Sequence, residues 1–201
     1  YEKDLVEELG LLKMDFLGLR TLTVIGDAVK MIKKDHGIDL DINAIPLDDP
    51  ATCQLLTEGD TAGVFQMESS GITNLVKELA PKHFEDMIPL VALYRPGPLG
   101  SGMVDDFIKG SHGEKKVTYL HPLLEPILKD TYGVILYQEQ VMQIASVMGG
   151  FSLGQADLLR RAMGKKKESI LVAQRANFLA GTRKNEIPDD IANKVFDLMV
   201  Y

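Results

Sequence analysis

Ser152–Lys167 reads SLGQADLLRRAMGKKK, and the rest of the chain is most easily understood around it. Ser152 carries the short side-chain oxygen that caps a helix N-terminus. Leu153, Ala156, Leu159 and Met163 follow at helical spacing and give one apolar face. Gly164 is placed to stop the helix and to let backbone approach a ligand closely. Arg160, Arg161, Lys165, Lys166 and Lys167 crowd cations into the helix end and the turn beyond it. Two explanations stand side by side. Cations at a helix C-terminus are favoured by the macrodipole, which makes the block a solvated helix end. A planar arginine pair beside a mobile lysine cluster is also a good receptor for phosphate oxygens.

The surroundings sharpen that contrast, because they are acidic. The 201 residues hold 22 Lys and Arg against 29 Asp and Glu, a formal charge of −7. Such a balance argues against a protein coated in nucleic acid but leaves room for a local basic groove. Apolar residues at 45% and charged residues at 25% describe an ordinary globular composition with a sizeable core. The single cysteine, Cys53, excludes an internal disulfide framework and points to a reducing setting. No run of about 18 apolar residues occurs, so no membrane span is expected. No basic segment followed by an apolar run opens the chain, so no signal peptide is expected. The chain starts at Tyr1-Glu2-Lys3 and stops within the helical pattern of Phe196–Tyr201, which gives the expectation of a piece of a longer protein.

The pattern along the chain is a mainly α fold with a few short β-strands. Residues 2 to 10 read as a short helix ended by Gly10. Leu22, Ile25, Val29 and Ile32 mark an amphipathic helix from Leu19 to His36, with Gly37 as its stop. Asp49-Pro50 opens a helix to Glu58, a serine at 69 or 70 opens another to about Ala80, and Asp86 to Tyr94 reads as a core helix. Helices are also expected over Met103–Lys109, His121–Lys129, Gln138–Met148 with a Val141, Ile144, Ala145, Met148 stripe, Ile170–Arg183 and Pro188–Val200. Strands are expected at Leu11–Leu17, Gly63–Met67 and Tyr132–Tyr137, which are short apolar runs bounded by turn residues. Between Tyr94 and Gly102 the prolines and glycines exclude regular structure and leave two readings. One is a tight connection; the other is a stiff loop presenting Arg95 and bare N–H groups to a ligand. His112, in a polar loop, reads as a solvated side chain.

The strand Leu11–Leu17 is odd in carrying Lys13 and Asp15 at i and i+2, hence on one face. A mutual salt bridge or a wet strand edge explains them. So does a carboxylate that holds a hard cation beside a lysine that reads an anion. No P-loop, GxGxxG or zinc-type Cys/His spacing is present.

Five segments carry a resemblance. They are LLKMDFLGLRTLT (Leu11–Thr23), DTAGVFQMESSG (Asp60–Gly71), FEDMIPLVALYRPGPLGSGMVDDFI (Phe84–Ile108), TYGVILYQEQVMQIA (Thr131–Ala145) and LLRRAMGKKK (Leu158–Lys167). In this order they resemble the C-family replicative DNA polymerases, the alpha subunits of bacterial DNA polymerase III, across essentially the whole chain. The resemblance implies that residues 1–20 close the palm domain and residues 21–201 begin the fingers. It implies that Asp15 matches the third acidic metal ligand of the palm, with Lys13 beside it, and that the two ligands of a PDxDxDF segment lie outside this chain. It implies a reaction in which two Mg²⁺ ions serve nucleotidyl transfer from dNTPs to a primer 3′ end. Arg160, Arg161, Lys165, Lys166 and Arg95 become candidates for the triphosphate. The implied partners are primer-template DNA, a dNTP, and other replicative holoenzyme subunits such as the sliding clamp, reached through regions not in this chain. A bacterial cytoplasmic setting is implied, and the piece alone is expected to be inactive. The competing reading is a non-catalytic helical module whose basic patch grips DNA backbone or a protein.

Overall fold

The computed structural model describes residues 2–12, 14, 16–164 and 168–200. The chain divides into two compact units, Tyr1–Pro46 and Leu47–Tyr201. Helices dominate both, and no strand occurs among the described residues.

The first unit holds α1 (Lys3–Glu8) and α2 (Arg20–His36), followed by a single 3₁₀ turn at Ile42–Ala44. Gly37 closes α2 in the left-handed conformation, φ 69°, and its N–H donates to Lys33 O. Lys33, Lys34 and His36 occupy the last turn, where the helix dipole favours them. None of the described residues of this unit is buried, and Leu22 on the apolar face of α2 is 71% exposed. The strand expected at Leu11–Leu17 is not formed among its described residues, and Phe16 and Leu17 stand in solvent. A lone strand cannot pair its own backbone groups, so an apolar run without a neighbouring strand has no reason to adopt one.

The second unit contains α3 (Pro50–Glu58), α4 (Ser70–Leu79), α5 (Met87–Leu93), α6 (Pro96–Ser101), α7 (Met103–Ser111), α8 (Glu125–Leu128), α9 (Gln138–Gly149), α10 (Leu153–Gly164), α11 (Glu168–Lys184) and α12 (Asp189–Val200). Asp49 caps α3 by accepting from Thr52 N at 2.9 Å and Thr52 Oγ1 at 2.5 Å. Two apolar clusters hold the unit. One gathers Ile72, Leu75, Val76, Leu90, Leu93 and Phe107 from α4, α5 and α7. The other gathers Ile144, Met148, Leu159, Phe178, Val195 and Phe196 from α9 to α12. The stripe Val141, Ile144, Ala145, Met148 expected of α9 is buried throughout. Where α9 meets α11, Gly149 and Gly181 replace side chains. A Cβ on Gly181 would collide with the backbone carbonyl of Gly149, and one on Gly149 would collide with Phe178.

Two further expected strands are turns. At Gly63–Met67, Val64 N donates to Thr61 O at 3.1 Å and Met67 N to Val64 O at 3.0 Å, with Gln66 at φ 63°. At Tyr132–Tyr137, consecutive left-handed residues, Tyr132 (φ 53°) and Gly133 (φ 86°), break any extended run. Each run still sends one apolar residue into the core, Met67 and Val134, while Phe65 is 48% exposed; a short apolar run marks a segment for partial burial without fixing its backbone. Tyr94–Gly102 errs the other way, because it contains the helical turn α6. Pro96 and Pro98 sit in its first turn, where no backbone donor is needed, and Gly102 (φ 79°) ends it. His112 is less free than expected, with Nε2 3.0 Å from Leu79 O.

Candidate functional site

α10 starts on a reciprocal cap. Ser152 Oγ accepts from Gln155 N at 3.4 Å, and Gln155 Oε1 accepts from Ser152 N at 2.9 Å. Ala156, Leu159 and Ala162 are its buried residues, while Leu153, expected on that face, is 77% exposed. Burying that face leaves Arg161 pointing to solvent, with Asp157 and Arg160 partly buried at its edge.

Asp157 engages both arginines. Arg160 Nε and Nη2 donate to Asp157 Oδ1 at 2.9 and 2.8 Å, and Arg161 Nε lies 2.8 Å from Asp157 Oδ2. The Arg160 hydrogen bonds, with the charges of both guanidiniums, hold the Asp157 carboxyl below its ordinary value against the opposing effect of desolvation. Arg160 Nη1 also reaches across to α9, donating to Gln138 Oε1 at 3.0 Å.

The start of α9 is fixed by Gln140, which is buried. Its Oε1 accepts from Leu136 N at 2.8 Å and Tyr137 N at 2.9 Å, so the helix entry is satisfied internally. Its Nε2 donates to Thr131 Oγ1 at 2.8 Å and Ile127 O at 3.2 Å. Burial pushes the neighbouring Tyr137 phenol above its usual pKa.

Arg160 forms part of a cleft of about 240 Å³. Its walls are Gly97 and Pro98 from α6, Ile135 to Gln138 from the approach to α9, Met163 and Gly164 from α10, and Leu198 and Met199 from α12. The cleft is thus an apolar slot with a guanidinium on one wall and a proline-stiffened turn on another. Arg161, largely exposed, is not among its lining residues; nor is Arg95, which precedes α6 with an exposed side chain. Lys165 and Lys166, with Lys167, lie outside the described residues, as do Lys13 and Asp15. Among the described residues no group of three or more His, Cys, Asp or Glu is arranged to hold a metal ion.

Asp157 and Gln138 are the partners that sequence reasoning missed. Asp157 had a signal: it precedes the two arginines by three and four residues, the spacing of neighbours on a helix surface. Gln138 had none, because it meets Arg160 from another helix.

Fold and site together define a helical domain that carries an arginine pair on one helix, near a slot bounded by a proline-glycine turn. Known proteins make the class specific. Residues 21–186 match the family described as the bacterial DNA polymerase III alpha subunit finger domain. The chain is 51% identical, over 96% of its length, to the DNA polymerase III subunit alpha of Staphylococcus aureus. It is 53% identical, over 99% of its length, to that of Pseudomonas aeruginosa. The chain belongs to the finger-domain family of the bacterial DNA polymerase III alpha subunit. It spans 18% of the length of either relative. No helix among the described residues is long and apolar enough to cross a membrane.

Proposed function

We propose that this chain is the fingers piece of a replicative DNA polymerase that transfers deoxynucleotides from dNTPs to a template-paired primer 3′ end. Its share of that work is the cationic surface that meets the triphosphate and one carboxylate for the metal site. The observation that carries the reading is the cleft in which Arg160 faces the Pro96–Ser101 turn, with Arg161 beside it on the same helix. A triphosphate calls for cationic donors beside an apolar wall that excludes water, and the cleft sets the Arg160 guanidinium against such a wall with Arg161 one residue on. Lys165, Lys166 and Arg95 are assigned to the same ligand on their place in the sequence.

Asp15 is assigned as a metal ligand and Lys13 as a counter-charge to the developing phosphate negative charge. Residues 1–20 belong in this reading to the palm and residues 21–201 to the fingers. Two Mg²⁺ ions would supply primer activation and leaving-group stabilisation, with the remaining carboxylates coming from the larger protein. One carboxylate cannot fix two ions, so the piece alone is inactive. Primer-template DNA and the other holoenzyme subunits, the sliding clamp among them, are partners of the larger protein, in a bacterial cytoplasmic setting.

The test is made in the full-length polymerase. Asp15→Asn is expected to abolish incorporation while DNA binding remains; normal incorporation would remove the metal assignment. Arg161→Ala is expected to raise the apparent dNTP KM more than it weakens DNA affinity. Equal loss of both, with a steep salt dependence, would instead make the block a DNA-backbone grip.

A further inference from the structure

A second groove, of about 520 Å³, lies in the same unit as the slot. Ile88 and Pro89 of α5 line its apolar side, together with Phe107 of α7 and Tyr132. Pro89 and Leu90 are buried, whereas Ile88 between Met87 and Pro89 is 52% exposed. Tyr132 is held firmly at this place. Its backbone is left-handed (φ 53°), a conformation that is costly for a bulky residue. Its ring meets that of Phe107 edge-on, with centroids 5.1 Å apart. It passes α7 at Gly110, where any Cβ would lie 2.6 Å from the Tyr132 Cβ. Thr131 before it is buried, donates to Val134 O at 2.6 Å and accepts from Gln140 Nε2 at 2.8 Å.

The rim of the groove is acidic. Glu85, Asp86 and Asp130 stand against a single ammonium, Lys129. Asp86 is fixed by the N–H groups of Lys82 and His83, which donate to its Oδ2 at 2.8 and 3.0 Å. Among the described residues none of the three carboxylates has an ion-pair partner. Burial first, and then the charges of Asp86 and Asp130, push the Tyr132 phenol above its usual pKa, so both carboxylates act on one ring.

An apolar groove with such a rim repels the phosphates of nucleic acid and attracts cations. Arginine suits both of its features, because a planar guanidinium stacks on an aromatic face and takes a carboxylate through its fork. We propose that this groove is a docking surface for another protein chain and that its occupant is an arginine-bearing apolar segment. The guanidinium lies over Tyr132, between Asp86 and Asp130, and the apolar side chains beside it cover Ile88 and Pro89. Neither Arg160 nor Arg161 lines the groove, and the proposal does not rest on the triphosphate reading.

The experiment is amide NMR of the 201-residue chain, titrated with the probe acetyl-Leu-Arg-Leu-Leu-Arg-amide and with the same peptide carrying citrulline in place of both arginines. The arginine peptide is expected to shift the amides of Glu85, Asp86, Ile88, Asp130 and Tyr132. The citrulline peptide keeps the shape and loses the charge, and is expected to bind about threefold or more weakly. Glu85→Gln combined with Asp130→Asn alters two exposed side chains and is expected to lower the affinity for the arginine peptide to the citrulline level, with the spectrum away from the groove unchanged. Equal binding of the two peptides, shifts confined to other residues, or no shifts would overturn the proposal. An unchanged affinity of the double variant for the arginine peptide would overturn it as well. So would a thymidine oligonucleotide that shifts the same amides with comparable affinity, since the groove would then serve nucleic acid. The comparison of the two peptides on the unaltered chain decides the matter even if the double variant fails to fold.

Discussion

α2 and α12 are equally good amphipathic helices on paper, and the molecule treats them in opposite ways. α12 buries Ala192, Val195, Phe196 and Met199. α2, five residues longer by its bounds (17 against 12), buries nothing. The difference lies in what surrounds them. α12 packs on α11, where Phe178 meets Phe196 at 5.6 Å between ring centroids and the Arg175 guanidinium lies 4.7 Å from the Phe196 ring. Asp197 and Asn193 hold that guanidinium from the same helix. Among the described residues of its own unit, α2 has no such neighbours. A hydrophobic stripe states what a helix needs to bury, and another part of the sequence must supply the cover.

Substitutions in the 201-residue chain, followed by denaturant unfolding, test this contrast. Phe196→Ala is expected to cost about 3–5 kcal/mol through the cavity it opens. Leu22→Ala on α2 is expected to fall within about 0.5 kcal/mol of the parent. A cost of several kcal/mol at Leu22 would mean that α2 is covered in solution. Gln140→Leu is expected to cost about 2 kcal/mol or more, since Leu136 and Tyr137 would lose their backbone partner. The glycines give the contrast a sign. Gly181→Ala is expected to destabilise by about 1–3 kcal/mol, because a methyl group has no room against Gly149. Gly26→Ala, inside α2 with open space around it, is expected to stabilise by about 0.8–1 kcal/mol. Equal effects at the two glycines would break the comparison.

Acid produces the smallest effect. Asp49, Asp157 and Asp189 each have a folded pKa below the ordinary 3.8, lowered first by hydrogen bonds from Thr52, Arg160 and Arg183 respectively. A depressed carboxylate stabilises the fold above its unfolded pKa and loses that contribution as pH falls through the folded value. All three lie in the second unit. Unfolding monitored from pH 5 down to about 2 is therefore expected to show a gradual loss there, reduced by Asp49→Asn.

Much of the fold was legible because helices declare themselves over many residues. The α9 stripe, the Asp49-Pro50 start, the Ser152 cap and the Gly37 stop all appear where periodicity and capping chemistry put them. The strands were misread because GVFQM and YGVILY are too short to show a period. Apolar content marked them for burial, and burial in a turn satisfies it equally well. The proline-glycine stretch was misread because prolines that exclude a helix interior are welcome in a first turn. At the site, the arginines were legible as an exceptional cluster of charge. Their unequal engagement was not, since it depends on Gln138, twenty-two residues from Arg160 and on another helix.

Pro96 and Pro98 have one more consequence. Their rings remove backbone rotations from the chain before it folds, so the order of that edge of the slot comes from covalent structure rather than from contacts. That wall therefore has the least freedom left to lose, and what motion the slot retains belongs to the side chains of its other walls, Met163 and Leu198 among them.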